Sequence, residues 1–205
     1  MNVEEVIFDV AEALRYPVLI LALAALALVL VEAGAFAVEV VQRRRRDTAR
    51  LESVAQAARA ALESGDVKTA ERELRKVAWS GAMASTLDLI AERVRGSGGA
   101  DRVAKALADF DFQSLRRLER TRVLVRAGPA LGLMGTLIPL APALAGLADG
   151  DVARLSRNLR VAFSVTVLGL LVGALAFAIS LVRDRLYGQD LSDLEFVVAT
   201  LAARS

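Results

Sequence analysis

The chain has 205 residues, of which 55% are hydrophobic and 24% charged, and its formal net charge is only +2. It contains no cysteine and no histidine, which excludes disulfides, thiol chemistry and haem ligation by histidine and leaves no usual general base at neutral pH. We therefore expect no cofactor and no metal site. The apolar residues are collected in long blocks between charge-dense stretches, a distribution typical of membrane proteins.

Three blocks are long enough to cross a bilayer as α-helices, which takes roughly 20 residues. They predict transmembrane helices at residues 16–41, 124–147 and 161–182. The first contains two acids, Glu32 and Glu39, and the third contains no charge at all. No segment has the alternating pattern of a strand, so the fold class is an all-α membrane protein.

The arginines indicate the orientation of these helices. Arg43, Arg44, Arg45 and Arg46 directly follow the first span, whereas only Arg15 precedes it. Because basic residues accumulate on the cytoplasmic side, we predict an N-out, C-in, multi-pass protein of the cell (inner or plasma) membrane. The predicted external segments are residues 1–15 and 148–160, and the predicted cytoplasmic segments are residues 42–123 and 183–205. An anionic-lipid or nucleic-acid site is the alternative reading of the arginine run, but a stop-transfer anchor is favoured and no nucleic-acid partner is expected.

The first cytoplasmic region has the signals of consecutive helices. Asp47 is placed to cap a helix that ends at Gly65, and Asp66 is placed to cap a second one that continues to about Arg95. The glycine-rich residues 96–99 then predict a flexible break.

A third cytoplasmic helix is predicted to begin with Asp101 as its cap. Its apolar stripe meets no terminator before Gly128 and Pro129, so the second span is predicted to start inside the cytoplasm as a long helical extension. In the tail, the spacing of Leu191 and Leu194 with later apolar residues predicts a short amphipathic helix.

Small residues line one face of each of the last two spans. The second span has Gly128, Gly132 and Gly135, and the third has Gly169 and Gly173. Glycines four residues apart let helix backbones approach closely in lipid, where packing replaces the hydrophobic effect. The two faces predict a tight helical hairpin and are also compatible with self-assembly.

Two hydroxyls and two prolines lie in the middle of the same spans. Pro139 and Pro142 each remove a backbone donor, and Thr136 lies three residues before the first of them. By helical rise, Thr136 and Thr166 lie at similar depth, so their hydroxyls could meet and handle a proton or a hydrated cation. The competing interpretation is that each hydroxyl bonds only to its own helix.

Glu32 is the acid deepest inside a predicted span. Because a carboxylate there costs ~2.5–3.5 kcal/mol on insertion scales, it is a candidate functional group. The favoured alternative is a protonated or hydrogen-bonded acid packed against small residues of a neighbouring helix.

Together these two spans resemble the MotA/TolQ/ExbB proton channel family over about residues 115–187. The resemblance rests on a Pro-x-x-Gly-x-x-Gly-Thr segment, a Gly-Asp turn and a Thr-x-x-Gly-Leu segment. The matching residues are Pro129, Gly132, Gly135, Thr136, Gly150, Asp151, Thr166, Gly169 and Leu170. The layout is closest to ExbB and TolQ, but Val161 stands where ExbB-type members have a glutamate. The chain is therefore identified as a divergent branch.

The resemblance implies a proton or sodium channel subunit of a stator-like, energy-transducing complex. Five copies would surround a dimeric, single-span partner similar to ExbD, TolR or MotB, with Thr136 and Thr166 along the path of the ion that the partner's intramembrane aspartate carries. The alternative function is a non-conducting scaffold that oligomerises through its glycine faces. An enzyme is not expected, since no nucleotide loop, metal cluster or nucleophile–base pair is present.

Overall fold

A computed structural model describes residues 2–43, 48–94 and 98–203 of the chain. Within these ranges the regular structure consists of seven α-helices and no strand. The helices are α1 (Val3–Ala13), α2 (Arg15–Arg43), α3 (Thr48–Glu63), α4 (Val67–Arg75), α5 (Gly81–Arg93), α6 (Gly99–Ala148) and α7 (Val152–Ala202). The helical stretch Val3–Arg43, α6 and α7 are each long and apolar enough to cross a membrane. The predicted all-α fold with three membrane-crossing helices is confirmed.

The chain forms two compact units. Unit 1 contains the chain up to Phe36 together with Glu119–Leu181. Its core is a seam of small and branched side chains, because α2 presents apolar residues at alternating spacings of four and three, which keeps them on one helix face. The buried members are Val18, Ala22, Ala25, Val29, Leu124, Leu131, Val165, Val172, Ala176 and Ile179.

Unit 2 contains Ala37–Leu118 and the chain from Val182 onward. Here the short helices α3, α4 and α5 pack with the first part of α6 and the last part of α7 around a separate apolar core. The core includes Leu51, Val54, Leu62, Leu74, Met83, Leu87, Ile90, Phe110, Leu194, Val197 and Leu201.

Caps divide the middle of unit 2 into more helices than the sequence predicts. The Asp66 carboxylate accepts a hydrogen bond from the Thr69 amide at 3.0 Å and starts α4 as predicted. Hydrogen bonds from the side chain and then the backbone of Thr69 lower the pKa of Asp66. However, the single helix predicted from Asp66 to about Arg95 is wrong: α4 ends at Arg75. The Ser80 hydroxyl accepts a hydrogen bond from the Met83 amide at 3.1 Å and starts α5.

The two longest helices also differ from expectation at their ends. α6 begins at Gly99, so Asp101 lies in its first turn, where a carboxylate favours the helix dipole, and does not cap it. α7 starts before the predicted third span and includes residues 152–160. It continues through the tail to Ala202, so the separate short helix expected there is the end of α7. The predicted cap at Asp47 and the residues 95–97 near the predicted break lie outside the described residues.

The core of unit 2 can be tested with two leucines on the same helix. Leu87 is fully buried in α5, whereas Leu89 is 38% exposed. We expect Leu87→Ala to lower the free energy of unfolding by about 2–5 kcal/mol, because it leaves a cavity. The matched control Leu89→Ala should cost less than about 1 kcal/mol. Denaturant unfolding in detergent, followed by fluorescence of the single tryptophan Trp79, measures both. Equal losses would show that α5 is packed differently.

Candidate ion pathway

A tight turn joins α6 to α7 and makes them a hairpin. Gly150 adopts a φ of 77°, a left-handed conformation that glycine takes without strain. The Asp151 amide donates to the Gly146 carbonyl at 2.7 Å, which closes the end of α6. The Asp151 side chain then accepts a hydrogen bond from the Arg154 amide at 2.9 Å at the start of α7. The Gly-Asp pair of the family motif is thus explained locally, as a stop signal followed by a cap.

Below the turn, the glycine faces of α6 and α7 pack against each other within one chain. A Cβ placed on Gly128 would lie 2.7 Å from the Gly169 carbonyl oxygen and 2.8 Å from the Gly173 nitrogen. A Cβ on Gly169 would lie 2.7 Å from the Cα of Gly132. Only glycine permits this backbone-to-backbone approach, and the predicted hairpin is what the structure contains.

The three prolines of α6 leave backbone carbonyls without their usual hydrogen-bond donors, although the helix continues through all three prolines. Pro129 has no amide hydrogen, so the Val125 carbonyl lacks its usual partner in the helix. A Cβ on Gly173 would lie 2.9 Å from the Pro129 ring and 3.5 Å from that carbonyl oxygen. Gly173 therefore leaves room for the ring. Pro139 and Pro142 likewise remove two amide donors further along the helix.

The two threonines lie at the same backbone carbonyl. The Thr166 hydroxyl on α7 lies 3.1 Å from the Ala162 carbonyl of its own helix and 3.3 Å from the Gly132 carbonyl of α6, so its one hydrogen is shared between these two acceptors. The Thr136 hydroxyl donates to the Leu133 carbonyl at 2.7 Å and lies 3.4 Å from the Gly132 oxygen. Thr136 therefore bonds to carbonyls of its own helix, as the competing interpretation expects, while the Thr166 hydroxyl links the two helices.

This geometry determines what the two hydroxyls can offer chemically. Each hydroxyl directs its one hydrogen at backbone carbonyls, which leaves its oxygen lone pairs as acceptors. Both side chains are half-buried, so they are not sealed in the hairpin. Acceptor oxygens suit a hydrated cation or a protonated carrier. The nearby Ser164 differs, because it is exposed and its hydroxyl donates only to the Arg160 carbonyl at 2.8 Å.

Glu32 is not part of this threonine arrangement. It lies on α2, half-buried, and has an interaction of its own. The hydroxyls of Thr136 and Thr166 donate to carbonyls of α6 and α7, so Glu32 is not their acceptor. Among the described residues, no group of three acids could hold a metal ion.

A polar contact between α2 and α7 was not found from the sequence. An Arg15 side-chain nitrogen donates to the Asn158 oxygen at 3.1 Å, and the Arg15 Nε is buried. Arg15 also borders a narrow space beside Gly135, Pro139 and Val161. The available signal was a polar residue near the start of each of two predicted spans that begin on the same side of the membrane. Arg15 directly precedes the first span, and Asn158 lies three residues before the third.

The sequence matches a known protein family. The sequence model of the MotA/TolQ/ExbB proton channel family matches residues 101–195, which include both threonines, the Gly150 turn and all the glycines of the hairpin contact. The family resemblance predicted from the motifs is therefore confirmed. Its members are channel and transducer subunits, not enzymes. No curated protein matches the chain.

Because the backbones of α6 and α7 touch at the glycines, the loss of stability caused by a glycine-to-alanine substitution should depend strongly on its position. Gly128→Ala places a carbon against backbone atoms of Gly169 and Gly173, which cannot rotate away, so we expect about 1–3 kcal/mol of destabilisation. Gly34→Ala in α2 is the matched control, because no atom beyond the adjoining backbone of its own helix lies within 4 Å of its added Cβ. The heat-denaturation midpoint in one detergent should fall for Gly128→Ala alone. Equal midpoints would contradict the close contact.

Proposed function

We propose that this chain is an ion-channel subunit of an energy-transducing membrane complex. The premise is that residues 101–195 belong to the MotA/TolQ/ExbB proton channel family. The family implies a proton-channel type of function, and three apolar helices fit a multi-pass membrane protein. In the full proposal, five copies surround two helices of a single-span partner whose intramembrane aspartate carries a proton or a sodium ion. Ion flow then drives one part against the other.

The observation that supports an ion path best is the arrangement at Gly132. Thr166 reaches across the hairpin to its carbonyl, and Thr136 lies at the same oxygen. Around them the described faces of α6 and α7 are apolar, so these two hydroxyls supply acceptor oxygens where few other side chains can. They cannot carry a charge themselves, which leaves that role to the acid of the partner.

The alternative, a scaffold that oligomerises through its glycine faces, is less well supported. Gly128 and Gly132 are already packed against Gly169 and Gly173 of the same chain. A surface buried in the hairpin cannot also hold a second copy unless the hairpin opens. Assembly by this route would therefore have to break an existing helix contact.

Other surfaces of the hairpin remain available for assembly and lipid. Large apolar side chains of α6 and α7 are exposed along the stretches predicted to span the membrane. They include Leu133, Leu137, Leu140, Leu144, Phe163, Val167, Leu170 and Phe177. In a bilayer such faces contact lipid or neighbouring helices without penalty, so they suit a ring of subunits.

The orientation N-out and C-in remains part of the proposal. It is based on the arginines after the first span and before the second. The hydrogen bond from Arg15 to Asn158 joins the starts of the first and third spans, which lie on one side of the membrane in either orientation, so the arginine distribution alone carries this part of the proposal. Glu32 stays a secondary candidate for ion handling, since the hairpin hydroxyls do not bond to it.

Replacing each hydroxyl with a methyl group tests this role directly. Thr→Val preserves shape, and a helix-to-helix hydrogen bond in lipid averages only ~0.6 kcal/mol, so folding should survive in Thr166→Val and Thr136→Val. We expect ion flux in proteoliposomes containing the partner to fall at least about tenfold, which corresponds to about 1.4 kcal/mol in the barrier. The loss should be larger at Thr166, which links both helices.

Ser164→Ala is the control, because it removes a hydroxyl of the same span that bonds only to its own helix. Its flux should equal that of the unmodified chain. Native mass spectra must show unchanged assembly for all three variants. Full flux in both valine variants would remove these residues from the pathway and make Glu32 the next candidate.

A further inference from the structure

A buried cluster of charges in unit 2 is not used by the proposed channel. Two side-chain nitrogens of Arg183 lie 3.2 and 3.3 Å from the two carboxylate oxygens of Glu39. Arg43 lies 2.6 Å from Asp190 and 3.7 Å from Glu39. Residues 39 and 43 are on α2, and residues 183 and 190 are on α7. The four side chains thus connect the last turns of α2 to α7 through alternating charges.

Aromatic rings enclose this cluster. The guanidinium carbon of Arg43 lies 3.6 Å from the centre of the Trp79 ring and 5.4 Å from that of Tyr187. The Tyr187 hydroxyl donates to Glu39 at 3.4 Å. Burial and then the charge of Glu39 raise the pKa of Tyr187, so this hydroxyl keeps its proton. Cation–π contacts strengthen when the cation is removed from water.

Burial takes most of the charged groups of the cluster out of water. Arg183 and Asp190 are each only 2% exposed, and Arg43 is 7% exposed. Two cations and two carboxylates balance when all four are ionised. The cost of taking ionised groups out of water can exceed their mutual attraction, so replacing such a set with apolar residues is often neutral or stabilising. Such a cluster is poorly explained by stability alone and well suited to a switch.

We propose that the cluster of Glu39, Arg43, Trp79, Arg183, Tyr187 and Asp190 is a proton-responsive latch that fastens the end of α2 to α7 in unit 2. The proton is taken up by the Asp190 carboxylate. Protonation turns a neutral set into one with a single net positive charge, while the rings of Trp79 and Tyr187 still hold Arg43.

Asp190 has the properties that the latch requires. Burial raises its pKa to about 6, and this outweighs the opposing effect of Arg43. The indole nitrogen of Trp79 is buried beside it and favours the charged form, whereas Asp193 disfavours that form. The remaining charged and titratable groups of the cluster are Glu39, Arg183 and Tyr187, and Arg117 on α6 acts on Tyr187.

The difference between the pKa of Asp190 in the packed state and in the open state determines how the latch responds to pH. In a state that opens Asp190 to water, its pKa returns to 3.8, so the packed state binds the proton more tightly. Acidification therefore favours the packed state, and the gain begins as pH falls through about 6 and is complete below 3.8. Between pH 7 and pH 5, the ratio of packed to open states should rise about tenfold.

This response gives the latch a use that rests on the proposed function. Protons entering through the channel acidify the compartment on the side of unit 2 in the proposed orientation. The latch then tightens and resists separation of α2 from α7 there. A proton-driven subunit would thereby limit its own movement when the compartment is already acidic.

Hydrogen–deuterium exchange of the full chain in lipid nanodiscs tests the latch without any ion flux. After correction for the intrinsic pH dependence of exchange, amides in residues 37–43 and 183–190 should be about tenfold more protected at pH 5 than at pH 7. Asp190→Asn should abolish this difference, and the control Glu195→Gln, an exposed acid on α7, should retain it. A second variant, Asp193→Asn, removes a charge that raises the pKa of Asp190 and should move the change to lower pH.

Several results would overturn the latch. They are unchanged or lower protection at pH 5 in the unmodified chain, a full tenfold effect in Asp190→Asn, or a shift to higher pH in Asp193→Asn. If Asp190→Asn does not fold, the unmodified chain and Asp193→Asn still decide the question. Loss of flux in the threonine variants bears on the channel alone, so the two proposals can fail separately.

Discussion

The close approach of two helix backbones at glycine is the constraint on which the rest of unit 1 depends. Gly128 and Gly132 on α6 pack directly against Gly169 and Gly173 on α7, and no side chain fits between them. In lipid there is no hydrophobic drive to bring helices together, so van der Waals contact and interhelical hydrogen bonds must hold the pair. The turn at Gly150 brings the two faces into register by ending α6 and starting α7 within a few residues.

Several features follow from this contact. Because the backbones are so close, the Thr166 hydroxyl can reach the Gly132 carbonyl on the other helix, where Thr136 also lies. Gly173 leaves the space that the Pro129 ring occupies. Because the two glycine faces are buried against each other within one chain, they are not available to join separate copies. In the proposed ring, the exposed apolar faces of the hairpin are left to make the subunit contacts, which favours a channel ring over a glycine-mediated scaffold.

Much of this arrangement could be predicted from the sequence, since the information is local. Apolar length predicted three membrane-crossing helices, glycine spacing predicted the hairpin, and Asp66 predicted the start of α4. The predictions failed where a weak local signal competed with packing. Ser80 starts a new helix inside an apolar pattern that looked continuous, and the tail remains part of α7 because its apolar face joins the core of unit 2. The buried charges were missed because their partners are far apart in the chain. Glu39 and Arg43 are four residues apart on one helix, and Arg183, Tyr187 and Asp190 share a face of another, but only the fold brings the two sets together.

The most direct measurement is the reactivity of single cysteines in the assembled complex. The chain has none of its own, so each introduced thiol is unique. Thr136→Cys, Thr166→Cys and Leu137→Cys would be treated with a cationic, membrane-impermeant thiol reagent while ion flux is recorded. If the hydroxyls border a water-accessible ion path, the two threonine positions react and flux stops, while Leu137→Cys on the exposed apolar face of α6 is shielded and keeps its flux. Equal reactivity at all three positions, or reaction at Leu137→Cys alone, would contradict a path beside the hairpin threonines.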